Sequence, residues 1–304
     1  MNEPTAKIEK FTTGFTRLDR MMNGGFEAGR LMILAAEEKL GKTTLAENLS
    51  YLSAKLNKIR VHYYMLVEMS EWEMMSRFYA MDSGVAQSNI YNQWIIRDSE
   101  DLEAVSRSAN LFKQWSEENR LKVFCNPSLS SLDAIRKNSR KHGGADLTVI
   151  DQGNKVSGYP KDEEYLRGSK LARDAKVFAS EERTQLIWLS QINRPTTVRD
   201  NPKPTKHRIF GSSGLSQECD CLLFIHNPHA NKNQLALSTE EKMERHLIID
   251  EIRNGQTGTV KVRFRGEISR FEEKSQQDEP TSRKRQKPFT EPEPDEPEED
   301  GMPF

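Results

Sequence analysis

The sequence predicts an α/β fold: a mostly parallel central sheet with helices on both faces, finished by C-terminal β-hairpins. Three observations carry this. Apolar runs of strand length alternate with helical spacing through the first two-thirds of the chain. The run Leu31-Met-Ile-Leu34 passes through a turn straight into a helical pattern that starts at Thr44. The last two strand-like runs, His246 to Asp250 and Thr259 to Phe264, are joined by the Gly-rich turn Arg253-Asn-Gly-Gln-Thr-Gly258 instead of a helix.

In chain order, Thr13-Gly-Phe-Thr16 introduces a short helix, Arg17 to Met22, with Thr16 as its N-cap. Asn23-Gly24-Gly25 ends it. After the Leu31 strand a helix is expected to about Leu56. Val61 to Val67 reads as a buried strand ending at Glu68, and Ser70 caps a helix from Glu71 to about Met81. Asp98 to Asn119 is helical in pattern, Leu121 to Cys125 is a strand, and Ser128 to Arg136 a further helix. Asp146 to Asp151 is a buried strand, roughly Asp162 to Ser180 a helix, and Gln185 to Ser190 a strand ending at Gln191. A Pro-, Lys- and Arg-rich loop follows from Asn193 to Gly214, then the strand Cys221 to Ile225.

The chain has 304 residues, of which 30% are charged and 35% hydrophobic, which describes a soluble protein with a highly charged surface. No run approaches the roughly 18 apolar residues of a membrane span, and the first residues form no signal segment. A cytoplasmic location is expected. Three cysteines, Cys125, Cys219 and Cys221, are too few for a disulfide framework. Cys219 and Cys221 lead into Leu-Leu-Phe-Ile, so they read as buried strand thiols instead of metal ligands. The net charge of −1 hides seven acids and no Lys or Arg in residues 288–304, which leaves about +6 on the remainder. A basic body suits a polyanion partner. From about Lys274 the chain turns polar and Pro-rich, and a disordered tail is expected over residues 274–304, after a domain over 12–273 and a short segment over 1–11.

Between the first strand and its helix, Ala36-Glu37-Glu38-Lys39-Leu40-Gly41-Lys42-Thr43 matches the phosphate-loop pattern G-x-x-x-x-G-K-[ST], with Ala36 in place of the first Gly. Gly41 lets backbone N–H groups approach phosphate oxygens, Lys42 places a cation on the terminal phosphates, and the Thr43 hydroxyl can ligate Mg²⁺. The nucleotide-binding residues expected are Ala36, Glu38, Lys39, Leu40, Gly41, Lys42, Thr43 and Thr44. In an open α/β sheet, ligands bind at the carboxyl ends of strands. Three polar residues stand there: Glu68, suited to polarise an attacking water, Asp151, suited to hold Mg²⁺, and Gln191, suited to hydrogen-bond a γ-phosphate. Directly after Gln191, Arg194, Arg199, Lys203, Lys206 and Arg208 stand against one acid, Asp200. This is either a solvated loop or one that contacts a nucleic-acid backbone. Arg253 sits either in a plain surface turn or in an arginine finger that reaches a neighbouring subunit's ATP. Phe271 either packs on adenine or belongs to the core.

Five blocks carry a family resemblance: Thr13 to Asp19 with Gly24-Gly25; the phosphate loop; Val67-Glu-Met-Ser70; Leu189 to Arg194; and Arg253 to Val260 with Arg270-Phe-Glu272. With them the chain resembles the ATPase domain of the DnaB-type hexameric replicative helicases of bacteria and phages, over residues 12 to 273. The segment Ser212 to Asp220, with Gln217, is similar to the family's second DNA-binding loop. The resemblance implies a RecA-like fold, ATP and Mg²⁺ as cofactors, Glu68 as catalytic glutamate, Asp151 as Walker B acid, Gln191 as phosphate sensor and Arg253 as trans-acting finger. It also implies single-stranded DNA and a hexameric ring as partners. Two positions depart: Glu251 stands where relatives often have Lys, and Gln152-Gly-Asn-Lys follows Asp151 where they are apolar. About a dozen residues precede the domain, where relatives carry an N-terminal domain and linker helix, so ring assembly is expected to use another device.

The tip Glu298-Glu-Asp-Gly-Met-Pro-Phe304 is similar to that of bacterial single-stranded-DNA-binding proteins, which implies docking to replication proteins such as primase, polymerase or a loader; a solubilising tail is the other reading. The expected function is an ATP-dependent helicase or translocase, an ATP hydrolase working on single-stranded DNA. The alternative is a RecA-like recombination or mediator ATPase that remodels DNA without unwinding it.

Overall fold

A six-residue run of buried side chains sets the architecture. In the computed structural model, Leu31–Ala36 forms β3 at the centre of a nine-stranded sheet, and every side chain on it is buried. A strand buried on both faces needs a layer on each. Met32, Leu34 and Ala36 point to one core cluster, with Phe78, Phe112 and Trp115; Leu31, Ile33 and Ala35 point to a second, with Leu171, Phe178 and Ile135. Each large apolar side chain so buried is worth about 2 kcal/mol of transfer free energy. The structure describes residues 10–66, 69–92, 96, 98–158, 164–192, 203–209 and 217–273.

The elements run β1 (Lys10–Phe11), α1 (Thr16–Met21), β2 (Phe26–Glu27), β3, α2 (Lys42–Asn57), β4 (Val61–Met65), α3 (Glu71–Ser83), α4 (Gln87–Tyr91), α5 (Ser99–Glu117) and β5 (Leu121–Phe124). Then come α6 (Leu132–Lys141), β6 (Leu147–Asp151), α7 (Glu164–Glu181), β7 (Gln185–Gln191), β8 (Cys221–His226), α8 (Thr239–Met243), β9 (Glu244–Ile252), β10 (Gly258–Arg265) and β11 (Arg270–Glu273). The sheet order is β11-β10-β9-β8-β3-β7-β6-β4-β5. Strands β5, β4, β6, β7, β3 and β8 are parallel, and β9, β10 and β11 add an antiparallel edge. The α/β fold with C-terminal hairpins expected from the sequence is therefore the one observed.

Local chemistry moves some boundaries. Thr16 is the first residue of α1, not its cap; the cap position is Phe15, which offers no side-chain bond. The entry to α1 is held instead by Asp19, whose Oδ1 accepts from the Thr13 N–H at 2.9 Å and the Thr13 hydroxyl at 2.7 Å. The helix expected from Ser128 to Arg136 is broken. Asn126 accepts from the Ser128 N–H, a 3₁₀ turn covers Pro127–Leu129, and Ser131 restarts the chain as α6 by capping the Ala134 N–H. Short polar side chains that bond nearby backbone compete with a continuous helix. Ser70 caps α3 as expected, and Asp98 caps α5. The tail from Lys274 lies outside the described residues.

Candidate nucleotide-binding site

Parallel register brings the carboxyl ends of the central strands level. Ala36 of β3 pairs with Gln191 of β7, and Asp151 of β6 with Met65 of β4. Between this edge and the first turn of α2 lies a cavity of about 550 Å³. Its lining includes Ala36, Glu37, Glu38, Lys39, Gly41, Lys42, Thr43, Thr44, Asp151 and Gln191. All but Leu40 of the expected phosphate-loop residues thus border one space; Leu40 packs against the core. Lys39 (φ 63°) and Gly41 (φ 91°) both take positive φ. Such turns aim successive N–H groups at one point, and the N-terminus of the sixteen-residue α2 adds its dipole. Gly41 has a second reason to be glycine: a Cβ there would lie 3.0 Å from the Phe271 ring and 3.2 Å from Phe264.

That contact places Phe271. Asn48 of α2 accepts from the Phe271 N–H at 2.9 Å and donates to the Ser269 carbonyl at 3.0 Å, which ties β11 to the phosphate-loop helix. Phe271 is only 3% exposed and stacks on Phe264 with centroids 4.6 Å apart. Of the two readings left open, it takes the core position; the ring that borders the cavity is Phe264.

Asp151 is 1% exposed. Its Oδ2 accepts from the Tyr63 hydroxyl at 3.0 Å, while Oδ1 has no hydrogen-bond partner among the described residues. Burial pushes its carboxyl above the ordinary range, against the pull of Thr43, Lys42 and Tyr63. A buried carboxylate oxygen without a partner, beside a threonine hydroxyl and a lysine, fits a divalent cation bound with phosphate oxygens. Deeper in α2, Glu47 is fully buried and neither carboxylate oxygen has a hydrogen-bond partner among the described residues. Burial raises it to about 8, although Arg77 lies 4.0 Å away. Arg77 also lines the cavity, as do Gln152, Asn154 and Lys155. Sequence reading missed Glu47, Tyr63 and Arg77 because they converge from α2, β4 and α3; only the alternation of Tyr63 with Met65 on one face of β4 hinted at it. The departure after Asp151 also has a cause. Gly153 sits against Trp188, where a Cβ would fall 1.9 Å from the indole.

Other expected residues lie elsewhere. Glu68, Arg194 and Arg199 fall outside the described residues. Lys203 and Gln217 are exposed. Lys206 pairs with Glu251, and Arg208 donates to Glu37 at 2.5 Å. Arg253 is at the opposite edge of the sheet. Register sets Cys221 against Met32 and Ile252 against Cys221, so Arg253 and Asp220 come together beside Leu31. The Arg253 N–H donates to the Asp220 carbonyl at 2.9 Å, and its side chain lies 3.5 Å from the Asp220 carboxylate. The same carboxylate accepts from the Leu31 N–H at 2.8 Å, from Arg30 at 3.3 Å and from Lys176.

A phosphate loop at the carboxyl edge of a parallel sheet, with a buried acid across from it, defines a nucleotide-binding protein of the P-loop class. Comparison with known proteins resolves it further. Residues 11–273 match the DnaB-like helicase C-terminal domain, and the chain belongs to that family. It is 28% identical over 273 residues to the replicative DNA helicase DnaB of Haemophilus influenzae, covering 88% of this chain and 56% of that protein. To DnaB of Geobacillus stearothermophilus it is 27% identical over 270 residues, covering 87% and 57%. The chain thus spans little more than half the length of these relatives. In structure it is similar to a solved ATPase domain (TM-score 0.78, 23% identity, 89% of this chain and 93% of that one). It is also similar to a DnaB-like replicative helicase described with its primase interactions (TM-score 0.76, 24% identity, 87% and 62%). At these identities the likeness establishes the RecA-like fold.

Proposed function

We propose that this chain is the motor of an ATP-dependent DNA helicase or translocase acting on single-stranded DNA in replication, with ATP hydrolysed between subunits of a ring, by expectation a hexamer. The observation that carries the reading is buried Asp151, with one oxygen that has no hydrogen-bond partner among the described residues, beside Thr43 and Lys42 at a cavity of about 550 Å³. Thr43 and Asp151 would hold Mg²⁺, which neutralises charge on the phosphate oxygens when bound. Lys42 and the N–H groups ending at Gly41 bind the phosphates, and Gln191, which lines the same cavity, is the proposed sensor of the terminal one. Glu68, three residues after β4 in sequence, is the proposed residue that orients water.

The position of Arg253 supports shared sites. It stands beside Leu31, five residues from Ala36 along β3. At about 3.3 Å per residue that is roughly 16 Å from the chain's own phosphate loop. Such a cation cannot serve its own nucleotide, but it can serve a neighbour's. Lys203, Lys206 and Arg208, with Arg194, Arg199 and Gln217, are the proposed DNA contacts, and the acidic tip the proposed dock for primase or another replication protein. The test is DNA-stimulated ATP hydrolysis and unwinding of a forked duplex. Lys42→Ala is expected to lower the ATPase by about 10²-fold or more; wild-type-like turnover in that variant would sink the site assignment. ATPase without unwinding would favour a remodelling ATPase.

A further inference from the structure

Two acids stand in the phosphate loop, where the motif asks only for a backbone that can approach phosphate. Glu37 and Glu38 both line the cavity, and like charges that share a small space disfavour one another. Each is tied to the segment that follows β7. Glu38 accepts from the Gln191 amide at 2.9 Å. Glu37 accepts from the Arg208 guanidinium at 2.5 Å, and the two side chains are about four-fifths buried.

The backbone closes the same circuit. Ile192, next after Gln191, donates to the Ala36 carbonyl at 3.1 Å and bridges to Ile209, next after Arg208. Ile192 and Ile209 are both buried, which fixes Arg208 against the base of the phosphate loop. The other cation of the same turn, Lys206, is paired with Glu251, which does not line the cavity. One short turn therefore carries two cations, one held by an acid at the nucleotide site and one by an acid away from it.

We propose that Glu37 is the positioning residue through which bound nucleotide controls Arg208. With no triphosphate in the cavity, Glu37 holds the guanidinium. Triphosphate oxygens beside Glu37 repel its carboxylate, weaken the pair and release Arg208 to a nucleic-acid phosphate. Linkage makes the effect reciprocal, so DNA tightens nucleotide binding by the same factor. This rests on the reading of the protein as a DNA-binding ATPase.

The experiment measures affinity for a fluorescent oligo-dT, with and without a non-hydrolysable ATP analogue and Mg²⁺, using the full chain. The wild type is expected to bind at least about fivefold tighter with the analogue, the lower end of ordinary coupling. Glu37→Gln brings that ratio to near one by tightening the nucleotide-free state. Arg208→Gln brings it to near one from the other side, by weakening the nucleotide-bound state. Glu251→Gln, which frees Lys206 instead, keeps the wild-type ratio. A wild-type ratio in Glu37→Gln, an equal collapse in Glu251→Gln, or a wild type indifferent to nucleotide would each overturn the proposal. A wild type that binds no oligonucleotide in either state would instead bring down the DNA-binding reading on which it rests.

Discussion

Asp151, the last residue of β6, and Asp220, just before β8, are both buried and opposite in what surrounds them. Asp220 lies at the amino edge of the sheet with a backbone N–H, Arg30, Lys176 and Arg253 around its carboxylate. Asp151 lies at the carboxyl edge with one oxygen bonded to Tyr63 and the other without a hydrogen-bond partner among the described residues. A buried carboxylate whose lone pairs are filled by the protein is an anchor; one left unfilled is set up for something the chain does not supply. Burial alone would have grouped the two, and hydrogen-bond accounting separates them.

The comparison can be broken most sharply at Arg253. It is 53% exposed, so Arg253→Ala should change folding stability by less than about 0.5 kcal/mol. If it is a trans-acting finger, hydrolysis falls about 10³-fold or more while ATP still binds. Mixing it with Lys42→Ala subunits under exchange should then recover activity, because one interface in the mixture pairs an intact phosphate loop with an intact finger. No recovery would refute the shared site. Next comes Asp151→Asn, expected to lower the ATPase about 10²–10³-fold, as loss of one preorganised electrostatic partner does. Its melting temperature should hold or rise, since an under-bonded buried charge is removed.

Asp220→Ala should do the reverse and cost about 3–5 kcal/mol in urea unfolding, because it leaves cations facing an empty anchor. An unaffected midpoint there would erase the distinction between the two acids. The smallest effect is expected at Glu47. Its folded pKa, about 8, lies above the ordinary 4.5, so between those values the folded state holds the proton more tightly than the unfolded one. Stability should therefore fall as pH rises from about 4.5 to about 8 and level off above. Glu47→Gln should remove that slope and be more stable than wild type by about 1–3 kcal/mol at pH 8. Equal wild-type urea midpoints at pH 5.5 and 8 would count against it.

Much of the fold was legible because its signals are local. The runs at Leu31, Val61, Leu147, Leu186 and Cys221 are apolar on both faces, which only a strand covered on two sides tolerates. The broken helix before α6 was hidden, because the competition between helix and local caps at Asn126 and Ser131 turns on small energy differences. At the site, Lys42, Thr43, Asp151 and Gln191 were readable from their place at strand and helix ends. Phe264 and Phe271 were not distinguishable in sequence, since both belong to adjacent edge strands and only the clamp through Asn48 sets which ring faces the cavity.

The short elements β1, β2, α4, α8 and β11 were not read from the sequence. The sequence alone determined the order of the longer strands and helices, the phosphate loop and the edge of the sheet where a ligand is expected. Each depends on contacts within a few residues or on the general geometry of parallel sheets. Only the tertiary structure decided which charges are paired. Glu37 with Arg208 are 171 residues apart, and Asp220 with Leu31 are 189 apart. Whether a carboxylate is filled or open depends on partners from several strands at once, and no spacing along one chain encodes that.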